Sequence, residues 1–379
     1  MKVGIIAEPL DAGSPGFQTY ARRLTGALFD DARHDYRLVR RRPGYDAGVR
    51  EEPLPKIPGG AIAKQLAMPL VLLPRGYDLV HDLYHFPPYL YPTPYTRVMT
   101  IGDLTPLLLP THRSANVVWH RLLVARLARR CHHIVTFSAC SKRDIVRLLG
   151  VQPENVTVAH LAADERFSPG DARAARNILQ TKYAIPTERF FLQVGTIEPR
   201  KNLRATLLAF RQIAAQIPDV SLAIVGPEGW GATDLDALAN VPELTGRVIK
   251  LGHVPEDDLV LLYRAATALV YPSLYEGFGL PPLEAMQSGC PTIVSQTSSL
   301  PEVVGDAGLL VDPEDPAELA ARMLQVAQDG ELGIVLTQKG LARAQSFSWK
   351  RTAEATLGGY ERARSRGTRV GRRSLGPLT

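Results

Sequence analysis

Short apolar runs rich in β-branched residues alternate along most of the chain with longer stretches whose apolar positions recur at helical spacing. That alternation is the pattern of parallel α/β sheets. In the first half, KVGIIA (residues 2–7), DLVHDL (78–83), RVMTIGD (97–103) and HIVTFS (133–138) predict strands, and SANVVWHRLLVARLARR (114–130) predicts a helix between the last two. In the second half, FFLQVGT (190–196), SLAIVG (221–226), RVIKLG (247–252), ALVYPS (268–273) and PTIVSQ (291–296) predict strands, with a helix over NLRATLLAFRQIAAQ (202–216). Periodicity gives way to Gly, Pro and polar residues in VAHLAADERFSPGDARAARN (158–177), which predicts the boundary between two domains. Two doubly wound domains facing one another would leave a ligand cleft at the carboxyl ends of both sheets.

Length and composition agree with two cores. A chain of 379 residues exceeds one ordinary domain, and 45% hydrophobic with 22% charged residues is average globular usage. The opening apolar run stops at Glu8, too early for a signal peptide, and the tract at residues 62–74 is broken by Lys64 and Pro69 before it could span a bilayer. Cys131, Cys140 and Cys290 are scattered, without the spacing of a disulfide framework or a thiolate metal site, so a reducing cytoplasm is expected. The net charge of +6 suits phosphate-bearing ligands or anionic lipid. Its Arg-rich tail, residues 364–379, is expected to be disordered, and nothing in the chain carries a nucleic-acid-binding signature.

The chemistry concentrates in LYEGFGLPPLEAM (274–286), a strand-to-helix turn at the ligand edge of a βαβ unit. Gly277 and Gly279 let the backbone bend close to a ligand, and Pro281 and Pro282 suit a first helical turn. The amides of Phe278, Gly279 and Leu280 fall at that helix N-terminus, where an anion is favoured. Glu276 before the helix and Glu284 inside it can each accept two hydrogen bonds from a vicinal diol. A diol at each end with phosphate between is the layout of a nucleotide-sugar. A second strand-to-helix turn, VGTIEPRKNL (194–203), opens at Gly195 and supplies Arg200 and Lys201, a planar fork and a point charge for a diphosphate.

GTIEPRKN, the EGFGLPPLE segment and the following SSLPEVVGDAGLLVDPED together resemble the retaining glycosyltransferases of family 4, also called group 1. The similarity covers nearly the whole chain, densest over residues 190–316, and reaches a closing Trp-containing segment, FSWKRTAEATLGGYERA (347–363). The resemblance implies the α/β GT-B fold: an acceptor-binding Rossmann-like domain at 1–170, a nucleotide-sugar-binding one at 171–345, and a closing helix at 346–363 returning to the first. By that likeness Glu276 would hold sugar hydroxyls, Glu284 the ribose diol, and Gly277, Phe278, Gly279, Leu280 and Gly195 the donor. Arg200 and Lys201 would stabilise the leaving diphosphate, with no cofactor and no metal. Gly13 and Gly16 in GSPG resemble the family's N-terminal glycine loop. The implied reaction moves a hexose from a nucleotide-sugar, GDP-mannose or a UDP-sugar, to a glycan or lipid-linked acceptor. It would run in the cytoplasm, with peripheral contact to the inner face of the membrane as a further expectation.

The pattern breaks at MTIGDLTPLLLPTH (99–112). Asp103 matches the family's TIHDLTPL, but Gly102 stands where a histidine is usual. His81, His85 or His112 would have to replace it, backbone contacts would suffice, or the chain would be a catalytically weak nucleotide-sugar binder. Of the remaining features, Ser138 and Ser141 read as a strand end and helix cap, His132 and His133 as the end of a helix, and the Asp234/Asp236 pair as solvated rather than metal-binding. Base selection is assigned to backbone around residues 250–253. The basic amphipathic stretch with Trp119, Leu123 and Leu127 reads first as packing and second as a surface for anionic lipid.

Overall fold

The structure, a computed structural model, describes residues 1–11, 15–42, 44, 50–55, 60–85, 87–109, 118, 120–186, 189–229 and 235–373. Gly13, His112, Trp119 and Asp234 lie outside these residues. The chain divides into two compact units, one formed by Met1–Leu161 with Ser348–Thr379 and the other by Ala162–Phe347.

The first unit holds a seven-stranded sheet in the order β3-β2-β1-β4-β5-β6-β7. Its strands are β1 (Lys2–Ile6), β2 (Asp35–Arg40), β3 (Glu51–Pro53), β4 (Leu79–Asp82), β5 (Thr96–Thr100), β6 (His133–Thr136) and β7 (Val156–Val158), all paired in parallel. The central strands are apolar runs because helices cover both faces of a parallel sheet. β2 begins at Asp35 and interrupts its apolar residues with Arg37 and Arg40, and β3 and β7 are three residues each, too short or too polar to announce themselves in the sequence. The final helix, Trp349–Arg373, packs on β5, β6 and β7 and on the first helix, Pro15–Phe29.

Histidines are part of this unit's framework. His81 is fully buried in β4, its Nδ1 2.8 Å from the Tyr360 hydroxyl and its Nε2 2.9 Å from Thr100 Oγ1. Burial drives its pKa down to about 3, so the ring stays neutral. This corrects the expectation that His81 is available to replace a histidine at position 102. His133 lies in β6 rather than at a helix end, its Nε2 2.6 Å from Thr157 Oγ1, whereas His132 sits in the bend between the Ala125–Arg130 helix and β6, its Nδ1 accepting from the Arg97 amide at 2.9 Å. Ser138 does cap the Ala139–Leu149 helix, accepting from the Ser141 amide at 3.0 Å.

The second unit holds a six-stranded parallel sheet in the order β10-β9-β8-β11-β12-β13. Its strands are β8 (Arg189–Val194), β9 (Val220–Val225), β10 (Val248–Gly252), β11 (Ala268–Tyr271), β12 (Thr292–Ser295) and β13 (Leu309–Val311). Its core joins Phe191, Leu207, Phe210, Leu222, Val270 and Ile293. The chain lays β9 and β10 on one side of β8, then returns to place β11 on the other. The strand order therefore reverses between β8 and β11, and the loops leaving these two strands flank the crevice where such sheets take ligands. Both units are Rossmann-like parallel sheets, as the hydrophobic pattern predicts. Among the described residues, no helix is long and apolar enough to cross a membrane.

Candidate functional site

The loop after β8 contains GTIEPRKN and the loop after β11 contains PSLYEGFG, so the order reversal brings two sequence-distant motifs together. The first is held as a tight turn. Asn202 adopts φ 54°, and its side-chain Nδ2 donates to the carbonyls of Pro272 at 3.1 Å and Pro313 at 2.7 Å. Gln193 donates to the Lys201 carbonyl at 3.0 Å, and the Leu274 amide donates to the Arg200 carbonyl at 2.9 Å. The turn is thereby fixed to β8, to the loop after β11 and to the end of β13.

Arg200 and Lys201 converge on Glu276. Arg200 donates to Glu276 Oε2 at 2.7 Å and to the Tyr275 carbonyl at 3.0 Å, while its Nε and Nη2 reach Glu198 Oε1 at 2.9 and 2.6 Å. Lys201 Nζ donates to Glu276 Oε1 at 2.7 Å and to the Tyr271 hydroxyl, which itself donates to the same carboxylate oxygen at 3.0 Å. Burial opposes the charge on Glu276, but Arg200 and Lys201 outweigh it and hold the pKa at about 2. Burial likewise lowers the Lys201 pKa, against the pull of Glu276. The result is a desolvated, fixed charge cluster with two cations at the sheet's ligand edge.

Glu284 has a different environment. It lies one helical turn into Leu280–Gln287 and accepts from the Tyr263 hydroxyl at 3.1 Å. Among the described residues no cation pairs with it, and burial raises its pKa to about 7, with Tyr263 countering and Glu256 adding slightly. The two carboxylates each have their own tyrosine and titrate on opposite sides of the ordinary value.

The glycine loop between them is shaped by the next turn of chain. Ser298 Oγ accepts from the Glu276 amide at 3.0 Å, and the Ser299 hydroxyl lies 2.9 and 2.7 Å from the carbonyls of Glu276 and Phe278. Gly279 caps the helix at φ 109°, where a side chain would be strained and its Cβ would come within 2.6 Å of Leu300. Among the described residues nothing accepts from the amides of Gly279 and Leu280, leaving two donors at the helix start. Gly277 and Phe278 are buried beside them. Gly195, at φ 135°, lies against the Lys201 stem, where a Cβ would come within 3.2 Å of Cε. Sequence reading missed Tyr271, Tyr263, Glu198, Asn202 and the two serines. Glu198, Asn202 and the serines fall inside the GTIEPRKN and SSLPE segments and could have been found there, whereas the tyrosines carry no such signal.

Asp103 and Gly16 belong to the other unit. Asp103 accepts from the Thr105 amide at 2.9 Å, forming the turn that opens a short helix, Thr105–Leu108. Gly16 is exposed in the first helix, with open space where a Cβ would be. The space beside Gly102 is filled: a Cβ would meet Phe137 at 2.7 Å and Phe17 at 2.9 Å. Phe17 in turn packs edge-on against Tyr84 and His85, each 5.1 Å away between ring centroids. Asp236 is paired with Lys250 Nζ.

Residues 176–341 match the family described as glycosyl transferases group 1. O-antigen chain mannosyltransferase B of Escherichia coli is 36% identical over 306 residues, 76% of this chain and 80% of that protein. Among solved structures, sucrose-phosphate synthase from Thermosynechococcus elongatus aligns with a TM-score of 0.77 at 21% identity, covering 95% of this chain and 98% of its own. Anabaena HepE, in complex with UDP and glucose, aligns with a TM-score of 0.76 at 18% identity, covering 95% and 99%. These structural likenesses establish a common GT-B fold.

Proposed function

Because the chain belongs to the group 1 glycosyl transferases, we propose that it moves mannose from GDP-mannose to a glycan or lipid-linked acceptor, with retention of configuration and without a divalent metal. The observation that carries the choice of sugar is the 36% identity with a mannosyltransferase over 80% of that protein's length. In this reading the bond from the sugar C1 to the diphosphate oxygen breaks, the acceptor oxygen bonds to C1 on the same face, and the acceptor proton passes to the departing diphosphate.

The charge cluster suits the leaving group. Lys201 uses two of its N–H groups on Glu276 and Tyr271 and keeps a third for a phosphate oxygen. Arg200, fixed by two carboxylates, offers positive charge that needs no reorganisation as the diphosphate departs. The amides of Gly279 and Leu280 add donors at the helix start. Glu276, ionised throughout the physiological range, accepts from sugar hydroxyls, and Glu284 accepts from the ribose diol. Asp103 serves the acceptor side. A second reading, a nucleotide-sugar binder of weak activity, is favoured by the aromatic packing that occupies the side-chain space at Gly102.

The test is donor binding and slow donor hydrolysis with EDTA present, using GDP-mannose, UDP-glucose and UDP-N-acetylglucosamine. GDP-mannose is expected to bind selectively, and Glu284→Ala to weaken it roughly tenfold, the loss of the carboxyl's hydrogen bonds to a diol. A preference for a UDP-sugar would replace the proposed donor. Binding that ignores Glu284, or no binding at all, would remove the donor-site assignment.

A further inference from the structure

A cavity of about 440 Å³ opens where β5, β6 and β7 begin, at the edge of the seven-stranded sheet opposite the loops that follow its strands. Its walls include Arg97 from β5, Arg129 and Arg130 from the helix end before β6, His132, Asn155 and Arg366 from the closing helix. A second hollow of about 330 Å³ shares Arg129 and Arg130 and adds Arg126 and Leu122, the last 69% exposed.

The arginines are uncompensated. Among the described residues, no acidic side chain pairs with Arg97, Arg126, Arg129, Arg130 or Arg366. Arg129 Nε only reaches back to the Ala125 carbonyl at 3.2 Å. Among the described residues Arg97 Nε is buried with no hydrogen-bond partner, while Arg97 Nη1 reaches the Tyr91 carbonyl at 3.4 Å. A helix C-terminus favours cations, which accounts for Arg129 and Arg130 in the last turn of Ala125–Arg130. It does not account for Arg97 or Arg366, which arrive from other elements. Guanidiniums converging on one hollow repel each other unless an anion joins them, and their planar forks match phosphate oxygens. The volume lies within the roughly 300–1,000 Å³ of small-molecule sites.

We infer that this cavity is an anion site for a phosphate monoester or diphosphate group, separate from the Glu276 and Glu284 site and independent of the donor assignment. The group is carried either by a free ligand or by a lipid headgroup, and exposed Leu122 at the rim bears on the second source. Two arms separate them. The full chain is titrated calorimetrically with inorganic pyrophosphate at low salt, and floated with phosphatidylcholine vesicles with and without phosphatidic acid. Each arm is repeated with Arg129→Glu plus Arg130→Glu and, separately, with Arg366→Glu, an exposed position where folding is not at stake; circular dichroism checks both.

Binding in at least one arm should fall roughly tenfold or more in both variants, as expected when charged hydrogen bonds are lost. Pyrophosphate binding alone assigns a free ligand. Flotation that needs phosphatidic acid and is lost in Leu122→Asp assigns the headgroup. No binding in either arm overturns the inference, and so does binding that survives both charge reversals, because it then belongs to another site.

Discussion

At the scale of single residues, the two glutamates of one motif differ through their neighbours alone. Glu276 faces Arg200 and Lys201, which hold its pKa at about 2, whereas half-buried Glu284 faces a tyrosine and no cation among the described residues, and desolvation raises its pKa to about 7. The stability consequence of Glu284 has a definite sign. Between its ordinary value of 4.5 and about 7, the folded protein keeps a proton that the unfolded chain has lost. Stability therefore declines as pH rises through that window. Glu284→Gln, which cannot ionise, should flatten this decline in urea unfolding followed from about pH 5 to pH 8. An unchanged slope would mean that the carboxylate is not held neutral. The sequence reveals that both positions bear carboxylates at the ligand edge; their separation in pKa depends on Tyr263 and on the Arg200–Lys201 turn, which no local spacing discloses.

At the scale of elements, the aromatic layer around Gly102 joins the first helix, through Phe17, to the residue after β6, Phe137. The sequence shows a glycine at position 102 but not what packs against it, because Phe17 and Phe137 are distant in the chain and unremarkable in their own segments. Gly102→His would drive a side chain into both rings. The expected cost is about 1–3 kcal/mol, the range for overpacking a filled core, with no gain in turnover. Thermal unfolding and turnover of the variant check this; higher turnover at unchanged stability would show that the rings yield and that a histidine at this position aids turnover.

At the scale of the whole molecule, the unit formed by Ala162–Phe347 is continuous, while the other is completed by residues that return after it. The returning helix supplies the fully buried Tyr360 and Ala363 and the hydroxyl beside His81. A chain ending at Phe347 should thus leave β5, β6 and β7 uncovered and lose cooperative unfolding of the first unit. A fragment of Ala162–Phe347 has its own core and both carboxylates and should unfold cooperatively in urea. Trypsin digestion of the two fragments compares them directly: equal resistance would show that the helix is dispensable.

Periodicity and turn chemistry determined much by themselves. Buried parallel strands are read as apolar runs, and the Gly-Pro signature of residues 277–282 marks a strand-to-helix turn because only glycine tolerates that backbone and proline costs nothing at a helix start. Short edge strands such as β3, β7 and β13 carry too few residues to show a period. What only the tertiary structure decided is which distant residues meet. The reversal of strand order between β8 and β11 sets Arg200 and Lys201 on Glu276, and the packing of the closing helix brings Arg366 to Arg97 and Arg130. Charge, unlike hydrophobic period, acts through space, so its partners are fixed by the fold rather than by the order of residues.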